Sequence, residues 1–289
     1  MTTNRRNEIF SEEQETQQAH THAKQQGMAH DIMRDEFGFE IPVELVPLPS
    51  NGKVFPEDHP LHGKRSLEIT AMTAREEDIL TSRALIKKGT VITELLRSCL
   101  VDKRIQPEHM LSGDRNALMV AIRITGYGQE YSADIVCEGC NETSPATFDL
   151  AQLPIKALEI DPIDLGSNLF EFQLPRTKVP VQFAFLTGND EETLLAESER
   201  RKKKLRLSTD NFVTSRLEKC LVSVNGITDR NKIGHFIRKM PAMDSRALRK
   251  YIDEHEPGVE MKQWIKCEHC GEDQLVSMPI GASFFWPDA

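Results

Sequence analysis

The feature that most constrains this chain is a stretch that occurs twice. The first copy runs from Ser112 to Asn141, carries Asp114-Arg115-Asn116-Ala117-Leu118 and closes in Cys137-Glu138-Gly139-Cys140. The second runs from Ala242 to Gly271, carries Asp244-Ser245-Arg246-Ala247-Leu248 and closes in Cys267-Glu268-His269-Cys270. Asp244 lies 130 positions after Asp114, and the same spacing joins Ile252 to Ile122, Gly258 to Gly128, Glu260 to Glu130, Cys267 to Cys137 and Cys270 to Cys140. Recurrence without a gap reads as an internal duplication, each half donating one Cys-x-x-Cys knuckle to a shared metal site.

The matching continues upstream. Leu174-Pro175-Arg176 echoes Leu48-Pro49-Ser50, a strand at Val181–Phe185 answers one at Leu67–Ala71, and Thr187 stands where Thr73 stands. Val91-Ile92-Thr93, Leu96, Cys99 and Leu100 recur as Phe212-Val213-Thr214, Leu217, Cys220 and Leu221, at a spacing of 121. About nine extra residues around Asn225–His235 then restore the spacing of 130. Within the first unit, Ile41–Val46 alternates as an edge strand. Thr73-Ala74-Arg75-Glu76 is a capping box that starts a helix running through Leu80 and Ile86 to Gly89. The predicted class is α+β: two duplicated units of short strands and about three helices each, joined by a zinc-ribbon-like four-cysteine site. The boundaries expected are a polar arm over 1–39, with helical potential between Glu12 and Arg34, first and second units over 40–150 and 151–276, and an aromatic tail over 277–289.

Thiolates bind zinc tetrahedrally, and a Cys-x-x-Cys turn presents two sulfurs together with backbone N–H groups that stabilise their charge. Cys137, Cys140, Cys267 and Cys270 would form a closed site with no open position for water or substrate. Gly271 follows the second knuckle, where a turn favours positive φ, and Gly139 lies inside the first. The loop between Cys140 and Cys267 spans 127 positions. Closing it costs on the order of 4 kcal/mol, which a structural zinc contributing on the order of 10 kcal/mol offsets. The expected cofactor is therefore structural zinc clamping the halves. Cys99 and Cys220 fall on matched apolar helix faces and read as core thiols; His20 and His22 read as surface residues of the polar arm.

Charge and missing motifs narrow the function. The net charge of −9 gives no general electrostatic reason to sit on nucleic acid. No apolar run reaches the length of a membrane span, and the polar N-terminus lacks the apolar region of a secretory signal. With four of the six cysteines in Cys-x-x-Cys pairs, this predicts a reduced protein made inside the cell. There is no His-Glu-x-x-His, Gly-x-Ser-x-Gly or Walker loop, and Pro49–Lys53 lacks the required glycine spacing. Glu76, Glu77, Glu191 and Glu192 fit first turns of helices. The one dense basic run, Arg200–Arg206, reads as a solvated helix face. Together with the knuckles it leaves a zinc-ribbon nucleic-acid-binding or transcription-associated protein as the alternative, and the paired cysteines leave a redox enzyme as a third reading. The end of the chain clusters Phe284, Phe285 and Trp286, which either fold back on their own core or anchor a partner.

Several of these segments together resemble the baseplate hub-assembly proteins of T4-like contractile-tailed phages. They are Leu48-Pro49-Ser50-Asn51-Gly52 with Phe55-Pro56, Thr73–Leu80, Gly113–Ala117 followed by Ile122–Gly128, the paired knuckles, and Phe284–Pro287. The resemblance covers roughly 42–289. It implies a non-enzymatic hub or hub-proximal subunit of the virion tail baseplate, assembled in the bacterial host cytoplasm. Such a subunit would bind other baseplate proteins through its terminal arms, with no membrane, nucleic acid or small-molecule substrate.

Overall fold

The computed structural model describes residues 31–34, 40–205, 212–278 and 282–285. Among these residues the chain forms eight α-helices and five small sheets, a mixed α+β architecture. In the first unit, β1 (Asp31–Arg34), β2 (Glu40–Pro47) and β3 (Ser66–Thr70) make an antiparallel sheet in which Val43 faces both Asp31 and Thr70. β2 is thus the central strand, not an edge. Its proline at 42 cannot donate to a ladder, but the Pro42 carbonyl accepts from Ala71 N–H. Asp31–Arg34, expected in the polar arm, is strand; the rest of that stretch, with His20 and His22, lies outside the described residues.

The capping box forms as predicted at α1 (Ala74–Thr81): Thr73 Oγ1 donates to Glu76 at 2.6 Å, and Glu76 accepts Thr73 N–H at 2.9 Å. The single helix predicted to run to Gly89 instead breaks at Ser82, whose ψ of 103° is extended. A separate turn, α2 (Arg83–Lys88), ends on Gly89 at φ 79°. α3 (Val91–Cys99) follows, with Leu95, Leu96 and Cys99 buried.

The second unit runs through corresponding elements. β7 (Phe170–Gln173), β8 (Pro180–Phe183) and β9 (Leu221–Val224) form its sheet. Thr187 N–H and hydroxyl both donate to Asp190 at the start of α5 (Gly188–Leu205), at 3.0 and 2.7 Å. α6 (Phe212–Cys220) places the Cys220 thiol in the core, where desolvation pushes it up to about 12; burial does the same to Cys99. Leu221 pairs with Phe183 as Leu100 pairs with Ile69. The extra residues form a turn at Asn225 and Gly226, both at positive φ, followed by α7 (Arg230–Lys239).

Each unit centres on a long helix, α4 (Ser112–Tyr127) and α8 (Ala242–His255), with an aspartate fully buried in its first turn. Asp114 accepts Ser50 N–H at 2.9 Å and the Ser50 hydroxyl at 2.6 Å. Asp244 accepts N–H groups from Arg176 and Thr177 at 2.7 and 3.1 Å. The two Leu-Pro turns noted in the sequence are therefore held in the same way, by carboxylates otherwise costly to bury. A hairpin follows each helix: β4 (Glu130–Val136) with β5 (Thr143–Asp149), and β11 (Lys262–Lys266) with β12 (Asp273–Ser277). Their registers match, Val136 facing Thr143 and Lys266 facing Asp273.

The halves share one hydrophobic core. Across their seam, Ser112 N–H donates to the Leu186 carbonyl at 2.9 Å and Gly188 N–H to the Met110 carbonyl at 3.0 Å. Buried Arg115 reaches Thr93 Oγ1 at 3.0 Å and lies 3.9 Å from Glu192 of the second unit, whose carboxylate also accepts the Thr93 hydroxyl. The connecting segment adds β6 (Ile155–Lys156), paired with β10 (Gly258–Val259). Here Gly113 touches Pro257 so closely that a Cβ would stand 1.8 Å from its carbonyl oxygen. The seam is one-sided: at the matched start of α8, Met243 is 61% exposed.

Two tests follow from this packing. Gly113→Ala forces two backbones apart and should cost about 1–3 kcal/mol or more, read as a lower melting temperature, whereas Met243→Ala should leave it within about 0.5 kcal/mol. Desolvation raises the Asp114 carboxyl to about 6. Folding then favours its protonated form, so stability falls as pH rises from about 4 through 6, by on the order of 3 kcal/mol. Asp114→Asn should flatten that part of the stability–pH curve; an unaltered curve refutes the assignment.

Candidate metal centre

Each knuckle begins where a hairpin strand ends. Cys137 N–H donates to the Glu142 carbonyl and Asn141 N–H to the Cys137 carbonyl; Cys267 with Glu272 and Gly271 with Cys267 repeat this at matched positions, all at 2.8–2.9 Å. The second bond of each turn is donated by a left-handed residue, Gly271 at φ 73° and Asn141 at φ 57°. Gly139 does not serve that purpose. Its lack of a side chain instead lets the knuckles interlock, because a Cβ there would meet the Glu272 carboxylate at 2.1 Å. The interlock is completed by Glu138 N–H, which donates to the Gln274 side-chain oxygen at 3.2 Å.

The four sulfurs converge. Cys137 Sγ and Cys270 Sγ are 3.7 Å apart, as are Cys140 Sγ and Cys267 Sγ, and all four lie within 4.8 Å of one another. Exchanging the two units exchanges these two contacts, so the cluster is locally two-fold although the helix contact beneath it is not. Sulfurs bonded to one zinc ion at about 2.3 Å in a regular tetrahedron stand about 3.8 Å apart, and the donor set fits that geometry. Cys137 and Cys267 are buried, Cys140 is half-buried and Cys270 exposed. Among the described residues no other group of three or more His, Cys, Asp or Glu side chains converges in this way.

The electrostatics of the cluster favour a cation at its centre. Backbone N–H groups of Cys270 and His269 are aimed at Cys267 and bring its thiol down to about 6. Cys140 accepts the Glu142 N–H, which lowers its pKa, yet desolvation and the neighbouring thiols hold it up at about 12. Four sulfurs at this spacing cannot all be thiolates without a positive charge among them. Both 3.7 Å contacts run between knuckles, and both knuckles follow strands, whereas a thioredoxin-type pair opens a helix.

The other residues singled out in the sequence lie elsewhere. Phe284 and Phe285 fold back: both are fully buried, Phe284 packs edge-on against Tyr131 at 5.0 Å, and its carbonyl accepts from buried Arg123 at 3.0 Å. The same guanidinium also donates to the Gly128 and Glu130 carbonyls, so it ties the end of the chain to the turn after α4. Both phenylalanines are buried in the core in this conformation, and Trp286 lies outside the described residues. Glu76 caps its helix, Glu77 accepts the Tyr127 hydroxyl at 2.6 Å, and Glu192 belongs to the seam. Arg200–Leu205 is the helical end of α5, and Arg206 lies outside the described residues.

Sequence reasoning missed Asn141 as the left-handed residue, although its place opposite Gly271 in the repeat was the available signal. It also missed the exposed side chain of Trp264 on the second hairpin. No curated protein and no solved structure matches the chain. The profile of the family described as T4 bacteriophage base plate protein matches residues 43–286, which spans both units, both knuckles and the folded-back phenylalanines. The chain belongs to that family of phage baseplate proteins.

Proposed function

We propose that this chain is a structural, non-enzymatic subunit at or beside the hub of a contractile tail baseplate. In this reading it is built by internal duplication and its halves are clamped by one zinc ion on Cys137, Cys140, Cys267 and Cys270. The family match over 43–286 carries the baseplate assignment. The convergence of four thiols from two distant segments supports the clamp. Bound zinc supplies no catalysis here: four protein ligands leave no position for water or substrate. The residues do the structural work by orienting two hairpins whose own cores are thin. The protein is made in the host cytoplasm and ends in the virion tail, where its outer surfaces meet other tail subunits.

Mass spectrometry of purified tails should find the chain in baseplates; its absence from tails and from tail-assembly intermediates overturns the assignment. Metal analysis of the recombinant protein should give about one zinc per chain. Cys267→Ser should lose that zinc and cost several kcal/mol of stability, on the order of 3 or more, with hydrogen exchange rising first in both hairpins. A metal-free preparation with the wild-type melting curve rules out the clamp.

A further inference from the structure

The two hairpins share register and knuckle, although the strands of the first are seven residues long and those of the second five, so matched positions can be compared directly. On the outer face of the second, Trp264 stands directly opposite Leu275, at 71% and 50% exposure, with Lys262 and Lys266 two residues to either side on the same strand. At the matched positions of the first hairpin, Asp134 faces Pro145, with Ser132 and Val136 flanking. The hairpin fold therefore has no need of an aromatic on this face. The inward face carries the packing instead, through Ile265 and Val276, which lie against the core.

We propose that Trp264 and Leu275 are the anchor through which this subunit docks onto a different tail protein, at an apolar cavity rimmed by carboxylates. The inference rests on the assembly role proposed above and names the surface that performs it. An exposed tryptophan beside a cross-strand leucine is the composition of an interface centre, where a few large side chains dominate the affinity. Lys266 faces Asp273 across the hairpin whereas Lys262 faces uncharged Ser277, so the rim keeps a net positive charge that is complementary to carboxylates and would be repelled by cations. Two apolar hollows of a second copy do not have that rim: one of about 480 Å³ beside Ala71 and Ile79 is edged by Arg75, Arg97 and Lys103 against Glu76 and Glu94, and one of about 170 Å³ against Val213, Leu217 and Ile252 is edged by Arg216 and Arg249 against Asp253.

Phage lacking the native gene would be complemented with wild-type chain, Trp264→Ser, Trp264→Phe or Lys262→Glu/Lys266→Glu, and the chain quantified in purified tails. Each variant is also purified and checked for wild-type melting temperature and metal content, which separates docking from folding. Trp264→Ser should reduce incorporation by more than about tenfold, the charge reversal should reduce it as well, and Trp264→Phe should retain most of it. A photo-cross-linking amino acid placed at 264 should link to an apolar site on another tail protein near Asp or Glu. Wild-type incorporation of both Trp264→Ser and the charge reversal overturns the proposal while leaving the baseplate assignment standing. Cross-linking to a second copy overturns the choice of occupant. Absence of the wild-type chain from tails overturns the baseplate reading itself, and this docking surface with it.

Discussion

The contact on which the rest of the molecule depends is the seating of the α4 start in the second unit. Two backbone hydrogen bonds join Met110 and Ser112 to Gly188 and Leu186, and Gly113 brings main chain against main chain at Pro257. Nothing larger than hydrogen fits at Gly113, so the separation of the halves is set by backbone, which yields far less than side chains do. Once that separation is fixed, the hairpins leaving the ends of α4 and α8 are aimed at one another. Their knuckles then meet at sulfur–sulfur distances suited to a single tetrahedral ion. The cluster thus completes a geometry that buried packing has already imposed. This is also why so long an intervening loop is no obstacle: its described residues are themselves folded, and the ends of the loop are delivered together.

A second level of order comes from the two buried aspartates. Each spends its carboxylate on the backbone of a Leu-Pro turn far away in sequence, and so ties the sheet of a unit to its long helix. The two sites nonetheless differ electrostatically. Asp114 accepts one N–H and one hydroxyl, and desolvation holds its carboxyl up. Asp244 accepts two N–H groups, and it is held below the ordinary carboxylate range against the opposing effect of desolvation. The two matched aspartates thus differ in charge preference while each holds a Leu-Pro turn.

What could be read from the sequence was whatever repeated. The four cysteines, the matched Leu-Pro turns, the capping threonines and the order of elements were all visible because one copy vouched for the other. The break at Ser82 was invisible, since Leu85 and Ile86 continue a helical period that a single extended residue interrupts. The central position of β2 was hidden by its partner, the short strand Asp31–Arg34, whose two apolar residues Ile32 and Met33 sit in an otherwise polar stretch. The exclusive role of Gly113 was also beyond sequence reasoning, because it arises only when Pro257 arrives from 144 positions away. The aromatic tail left two readings open in the sequence; in the structure Phe284 and Phe285 are buried, with the Phe284 carbonyl held by Arg123.

The one-sided seam has a further consequence. Two like units joined by a reciprocal contact would present like surfaces at both ends, and the chain would have no direction. Here α4 begins in a buried cradle while α8 begins in solvent with Met243 uncovered. The molecule therefore has a head and a tail. Its two ends offer chemically different faces, so contacts at one end need not be repeated at the other.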